Sequence, residues 1–394
     1  MRAASEPGSR QRSKGGSPAI PARGPDPIRV SAATLAPPRP VLLSELGSGL
    51  LRLGFVPLTD AAPLLVAQEL GMFAAAGLRV VLSAETAWAA VRDKIAFGGL
   101  DAAHLLGPMP IALACGLGGV RHRLAIGAGL GLNGNRLVLS GALAARLDPA
   151  LPLTPQGFAA LVRALPAPPR LAVVFPFSSH NYLLRHWVAL GGLNPDRDLH
   201  LCVLPPSRAG DALATGEIDG FCAGEPWGSE AAARGAGRIV LSSGEIWAGH
   251  PEKMLAFSEE FVAMRREESV ACTAAVIAAA RWLDDPANRG EAIAILRARA
   301  FPGLAKETIG LALEGALPDG RLLPEEARLR FRPATLPRAD SARWWLRQMR
   351  RWGHLPAGAG EAGALAPYDD GLWREAAARL SEPEPALSRP EPQA

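Results

Sequence analysis

The chain has 394 residues, 48% of them apolar and 20% charged, which is enough to bury a large core in one or two α/β units. Its net charge of +4 resides in residues 1–48, with seven Lys/Arg against three Asp/Glu, while the body balances 35 of each sign. The body shows no zinc-finger spacing, RNA-recognition signature or basic helix, which speaks against direct nucleic-acid binding. The longest apolar stretches, LACGLGG at 113–119 and ACTAAVIAAA at 271–280, fall well short of the ~20 residues of a membrane span.

Residues 1–48 are polar and rich in Pro and Gly, so they are expected to be disordered. They hold no apolar run of about 7–15 residues behind a basic start, so export is not expected and a cytoplasmic address is. Next comes LLRLGFVPLTDAAPLLVAQELGMFAAAGLRVVLSAE. LRLGF reads as a buried strand, PLTD as a turn, APLLVAQELGMF as a helix ended by Gly77, and LRVVLS as a second strand. This is a βαβ unit and implies a parallel sheet. TAWAAVRDKIAFG then reads as a helix and LDAAHLL as a strand, and LAIGAGLGL and NRLVLS are strand-like runs around an N-G-N turn.

A second α/β set follows. It comprises a helix at 154–165, the strand RLAVVFPFSS, the helix HNYLLRHWVALGG, the strand LHLCVL, a short helix and turn in DALATGEIDG, the strand and loop GFCAGEPW, and RIVLSS. After residue 250 the pattern turns helical, and Pro and Glu dominate 381–394, where the end is expected to fray. The expected organisation is a first lobe from 49 to 136, a second from 137 to 242, and a return to the first lobe with a helical wrap from 243 to 380. Ligands of open α/β sheets sit beyond the carboxyl ends of strands, so the loops there are the place to look.

Those loops hold Thr59, the approach to Trp88, HLLGPMP (104–110), LNGN with Asn133 and Asn135, FPFSSHN with His180, GEPW with Glu225 and Trp227, and HPEKM with Lys253. Indole N–H, amides, hydroxyls, imidazole and one ammonium are donors or amphoteric groups, a set suited to a small oxyanion. Each residue also has a plainer use: Trp88 as packing, His180 as a helix start, the Asn pair as a turn, Glu225 as a cap. Lys253 stands out as one of four lysines in a chain that otherwise uses arginine. Asp101 and His104 lie three apart on a strand, facing opposite ways, so a shared metal is not expected.

No catalyst is expected. Ser178, Ser179 and His180 are sequence neighbours rather than a triad assembled across the fold, and no G-x-S-x-G or G-x-x-x-x-G-K-[ST] occurs. GAGLGLNG at 127–134 opens no helix and so is no dinucleotide loop. Cys115, Cys202, Cys222 and Cys272 form no C-x-x-C, which disfavours a zinc or redox site and fits a reducing compartment. No cofactor is expected.

The segments LGFVPLTDAAPLLVAQELGMF, AWAAVRDKIAFGGLDAAHLLGPMP, LNGN, VFPFSSHNYLLRHWVALGG, GEIDGFCAGEPW, GHPEKM and ARWWLRQMRRWG make the chain resemble the NasS/NrtA/CmpA group of nitrate-binding proteins, over about residues 50–355. The resemblance implies a two-lobed fold of the periplasmic-binding-protein type II class, with the ligand cleft between lobes and a helical C-terminal wrap. It further implies nitrate or nitrite clamped by Trp88, His180, Lys253 and the Asn133–Asn135 loop. Bicarbonate-binding relatives rely on calcium and a carboxylate near the lysine position, so Lys253 favours nitrate or nitrite. Within the group the chain is similar to the cytoplasmic sensor branch, in which the anion frees an RNA-binding antiterminator (ANTAR) partner. Two alternatives are the binding component of an ABC importer and an enzyme like the thiamine-pyrimidine-forming relative of the fold; the latter would carry a cysteine-rich stretch and a pyridoxal-phosphate lysine.

Overall fold

The computed structural model describes residues 50–148, 152–355, 358–385 and 391–392. The expected N-terminal tail, 1–48, lies outside the described residues, as do 386–390 and 393–394 of the expected C-terminal one. In chain order the strands are β1 (Leu50–Phe55), β2 (Arg79–Ala84), β3 (Ala102–Leu106), β4 (Leu124–Leu132), β5 (Asn135–Ser140), β6 (Arg170–Val173), β7 (His200–Val203), β8 (Gly220–Gly224), β9 (Gly237–Ser242) and β10 (Pro251–Ser258).

They form two sheets, ordered β2-β1-β3-β10-β4 and β7-β6-β8-β5-β9, with helices packed on them. Both sheets follow one plan. Three parallel strands sit on one side, where a helix returns the chain after each strand. The antiparallel strand in each sheet is the one that arrives from the other lobe, β10 in the first and β5 in the second. The α/β two-lobed architecture expected from the sequence is thus the observed one.

Three details differ from expectation. The N-G-N segment does not join neighbouring strands: β4 and β5 belong to different sheets, and Asn133-Gly134 is the first crossing between lobes. Both residues have positive φ, 61° and 92°, a left-handed pair that Asn and Gly tolerate best. The second lobe therefore begins at Asn135, paired with Gly224 of β8. Secondly, Pro251–Ser258 is a central strand rather than the start of the helical region. Its Glu252 and Lys253 look surface-like in sequence, yet both are buried because they pair with each other. Thirdly, HLLGPMP is not all loop, since the helix Met109–Cys115 opens inside it.

The helical wrap ties the lobes together. On the helix Ala339–Arg351, Trp344 packs against His186 of the second lobe and Trp247 of the return crossing. Trp345 meets Tyr368, whose hydroxyl donates to the Gly107 carbonyl of the first lobe. The apolar face of this helix is thus covered by its own chain. The expected fraying from 381 does not hold for the described residues: Glu382 is buried and pairs with Arg281 and with Arg332, and the Pro392 carbonyl accepts from Trp344 Nε1 at 3.2 Å.

Candidate functional site

The site is assembled where the ends of strands from both lobes meet. Lys253 comes from β10, Trp88 opens the helix Trp88–Ala96, and His180 opens the helix Ser179–Leu190. Asn135 starts β5, and all four are at most 1% exposed. Lys253 Nζ lies 5.7 Å from the Trp88 ring centroid, a cation–π contact.

The ammonium is held by two carboxylates. Lys253 Nζ is 2.9 Å from Asp60 Oδ2 and also pairs with Glu252 Oε2. Glu252 Oε1 accepts from Asn135 Nδ2 at 2.6 Å, a bond that spans the lobes. Asp60 Oδ1 in turn lies 3.1 Å from His104 Nε2, and the His104 ring stands edge-on to Trp88 with centroids 5.1 Å apart. Burial opposes the charge on Lys253, but Asp60 and Glu252 outweigh it and raise its pKa. Burial likewise opposes the Asp60 charge, yet Lys253 and His104 bring that carboxyl down to about 2.

The histidines are neutral by geometry. Nε2 of His180 accepts from the Val174 N–H at 3.4 Å and faces Ser178 Oγ at 3.2 Å, so the ring proton belongs on Nδ1. His250 Nδ1 donates to the Pro251 carbonyl at 3.1 Å, and its Nε2 takes the Ser243 hydroxyl at 2.8 Å. Burial lowers His180 to about 4 and His250 to about 3.

Several buried polar atoms of the cluster have no hydrogen-bond partner among the described residues: the donors Trp88 Nε1 and His180 Nδ1, both ring nitrogens of His104, and the acceptors Asp60 Oδ1 and Asn135 Oδ1. An unmade buried hydrogen bond costs about 1–3 kcal/mol, so the two donors beside an ammonium are the mark of a place built for an acceptor.

The remaining sequence candidates lie elsewhere. Thr59 N–H and Oγ1–H both donate to the Glu225 carbonyl, at 2.8 and 3.0 Å, and Trp227 Nε1 donates to the Pro57 carbonyl at 3.1 Å. These three residues latch one lobe to the other. The Glu225 carboxylate points inward to Arg136 Nε at 3.0 Å and to Ser229 N and Oγ at 2.9 and 2.7 Å. Asn133 belongs to the hinge: Nδ2 donates to the Glu326 and Arg328 carbonyls at 2.9 and 2.7 Å, and Oδ1 accepts from Gly249 N at 2.9 Å. Asp101 and His104 serve separate partners, Asp101 pairing with Arg52 at 2.7 Å.

Sequence reasoning did not place Asp60, His104, Glu252 and His250 in the site. The sequence signals were their places in or beside the candidate loops: Asp60 follows Thr59, His104 opens HLLGPMP, and His250 and Glu252 lie in HPEKM. A hollow of about 210 Å³ opens on the same seam, lined by Pro57, Thr86, Ser207 and Trp227 among others. A larger one, about 430 Å³ between 244–248 and 324–327, contains none of the clustered side chains. Among the described residues no three His, Cys, Asp or Glu are grouped to hold a metal, and no helix is long and apolar enough to cross a membrane.

Two α/β lobes joined by two crossings, with a polar cluster shut between them, define a two-lobed solute-binding fold. A crystal structure of the periplasmic nitrate-binding protein NrtA from Synechocystis PCC 6803 superposes with a TM-score of 0.79 at 29% identity, covering 85% of this chain and 89% of that one. The nitrate/nitrite binding protein NrtA of Synechococcus elongatus is 34% identical over 345 residues, which is 82% of this chain and 76% of that protein. The nitrate import ATP-binding protein NrtC of Synechocystis is 35% identical over 320 residues, and the chain spans 47% of its length. The chain belongs to the NMT1-like family, whose model matches residues 47–297.

Proposed function

We propose that the chain binds nitrate or nitrite between its lobes, with Trp88, His180, Lys253 and Asn135 around the anion. In this reading it is a cytoplasmic sensor of nitrate assimilation: the bound anion favours the shut form and releases an RNA-binding antiterminator partner that prefers the open one. The observation that carries the binding step is the pair of buried donors, Trp88 Nε1 and His180 Nδ1, left without partners among the described residues beside Lys253. Nitrate is flat, monovalent and weakly hydrated, so a few N–H groups can replace its water. A charge-assisted bond of this kind contributes roughly 1.5–3 kcal/mol. The names of the relatives, nitrate/nitrite binding and nitrate import proteins, support the same ligand.

The sensor role rests on the resemblance of the sequence blocks from about 50 to 355. The relatives' transport names favour the second reading, the binding component of an ABC importer. In both readings the chain binds rather than catalyses. Titration calorimetry of the purified chain against nitrate, nitrite, bicarbonate and a sulfonate tests the ligand, and nitrate or nitrite should bind tightest. Cell fractionation with co-purification tests the role: a periplasmic mature form ends the sensor reading, and a cytoplasmic complex that nitrate dissolves ends the importer reading.

A further inference from the structure

The charges in the cluster do not balance for an anion. Lys253 is the one cation in it, and its ammonium already faces the carboxylates of Asp60 and Glu252. Arg136, the nearby buried guanidinium, is matched by Glu225. The cluster therefore carries one net negative charge before any ligand enters, and burial leaves little water to screen a second. An anion needs a compensating positive charge to enter with it.

Most acceptor atoms there already hold a hydrogen bond. Nε2 of His180 receives the Val174 N–H, and His250 uses both nitrogens, on Pro251 O and Ser243 Oγ. Glu252 accepts donors on both oxygens, and Asp60 Oδ2 accepts from Lys253. His104 differs. Its Nε2 lies 3.1 Å from Asp60 Oδ1, an ion-pair distance, and those two atoms and His104 Nδ1 are all buried without a hydrogen-bond partner among the described residues, so this pair has room for a proton. The groups that face the ring are Asp60 from the turn before the first helix, Lys253 and Glu252 from β10, and Trp88 from the helix Trp88–Ala96.

We propose that His104 and Asp60 complete the binding site as its proton-holding pair, so that one proton from solvent enters with each anion and settles on His104 Nδ1. This rests on the anion-binding reading above. The neutral ring with its proton on Nε2 becomes an imidazolium bound to Asp60, and the loaded cluster returns to the charge it had when empty. Burial lowers the His104 pKa in the empty site, which keeps the ring neutral near pH 7 until the anion arrives. His104 acts through charge and does not touch the anion; it is a positioning residue.

The test is calorimetric titration of nitrate into the full chain near neutral pH, in buffers of different ionisation enthalpy. The dependence of observed heat on buffer counts protons. Uptake approaching one proton per nitrate is expected, with affinity tightening up to about tenfold per pH unit of acidification in that window. Binding with a buffer-independent heat overturns the proton pair and leaves the anion reading standing. No heat and no shift in melting temperature sinks the anion reading, and the pair with it. His104→Gln should lose the uptake and bind nitrate more weakly near pH 7, and persistence of the uptake in that variant overturns the assignment. Should the variant not fold, ¹⁵N imidazole spectra of the unaltered protein decide: nitrate should convert His104 Nδ1 to its protonated form, and an unchanged spectrum overturns the proposal.

Discussion

Trp88→Phe separates binding from folding more cleanly than any other single change. The indole of Trp88 is 1% exposed and stands against His104 and Lys253, but its N–H has no partner among the described residues. Phenylalanine keeps an aromatic face and deletes the donor. In the empty protein the substitution relieves an unmade hydrogen bond, worth about 1–3 kcal/mol, and loses part of the ring's packing, of the same order. The two offset, so the melting temperature of the empty protein should move by no more than about 3 °C. In the loaded protein the lost bond to an anion is worth roughly 1.5–3 kcal/mol, which corresponds to weakening by about 13- to 150-fold. Calorimetry gives the affinity and a thermal melt gives the stability. An unchanged Kd in a variant that melts as the parent does would refute the claim that this donor waits for a ligand.

Further expectations follow the same geometry. His180→Ala and Lys253→Ala should each weaken nitrate binding at least about tenfold by calorimetry, since each removes a donor or charge worth roughly 1.5 kcal/mol or more. Lys253→Ala should also destabilise the empty protein by about 3–5 kcal/mol in urea titration, because Asp60 and Glu252 are left buried without their cation. Asn133→Ala removes three hydrogen bonds at the hinge, and at about 1 kcal/mol each it should lower stability by about 1–3 kcal/mol while sparing the ligand contacts. Acid should weaken the fold. His180 at about 4 and His250 at about 3 sit below the ordinary histidine value of 6.5 because burial disfavours their charge. The stability linked to them is complete above pH 6.5 and is lost as pH falls toward those values. Asp60, at about 2 instead of 3.8, adds about 2 kcal/mol that is present above pH 4 and lost on further acidification. Urea titrations at pH 7 and pH 5 should show the histidine part, and equal midpoints would contradict it.

Much of the fold was legible because its strands are short apolar runs between glycine-marked helix ends. Leu50–Phe55, Arg79–Ala84 and Gly220–Gly224 follow that rule. Pro251–Ser258 breaks it, since a Glu-Lys pair reads as surface until its partners, Asp60 and Asn135, are known from other parts of the chain. The two asparagines of LNGN show a similar limit. Only the positive φ of Asn133 and the pairing of Asn135 with Gly224 assign one to the hinge and the other to the site. Trp88, His180 and Lys253 stood out as residue types, whereas Asp60 and His104 enter the cluster solely through contacts made across the sheet.

The most direct measurement is a crystal structure of the chain grown with saturating nitrate. One planar anion is expected between the lobes, with oxygens in hydrogen-bond reach of Trp88 Nε1 and His180 Nδ1. Density for nitrate only elsewhere on the molecule, or both donors bonded to protein groups at saturation, would contradict this arrangement.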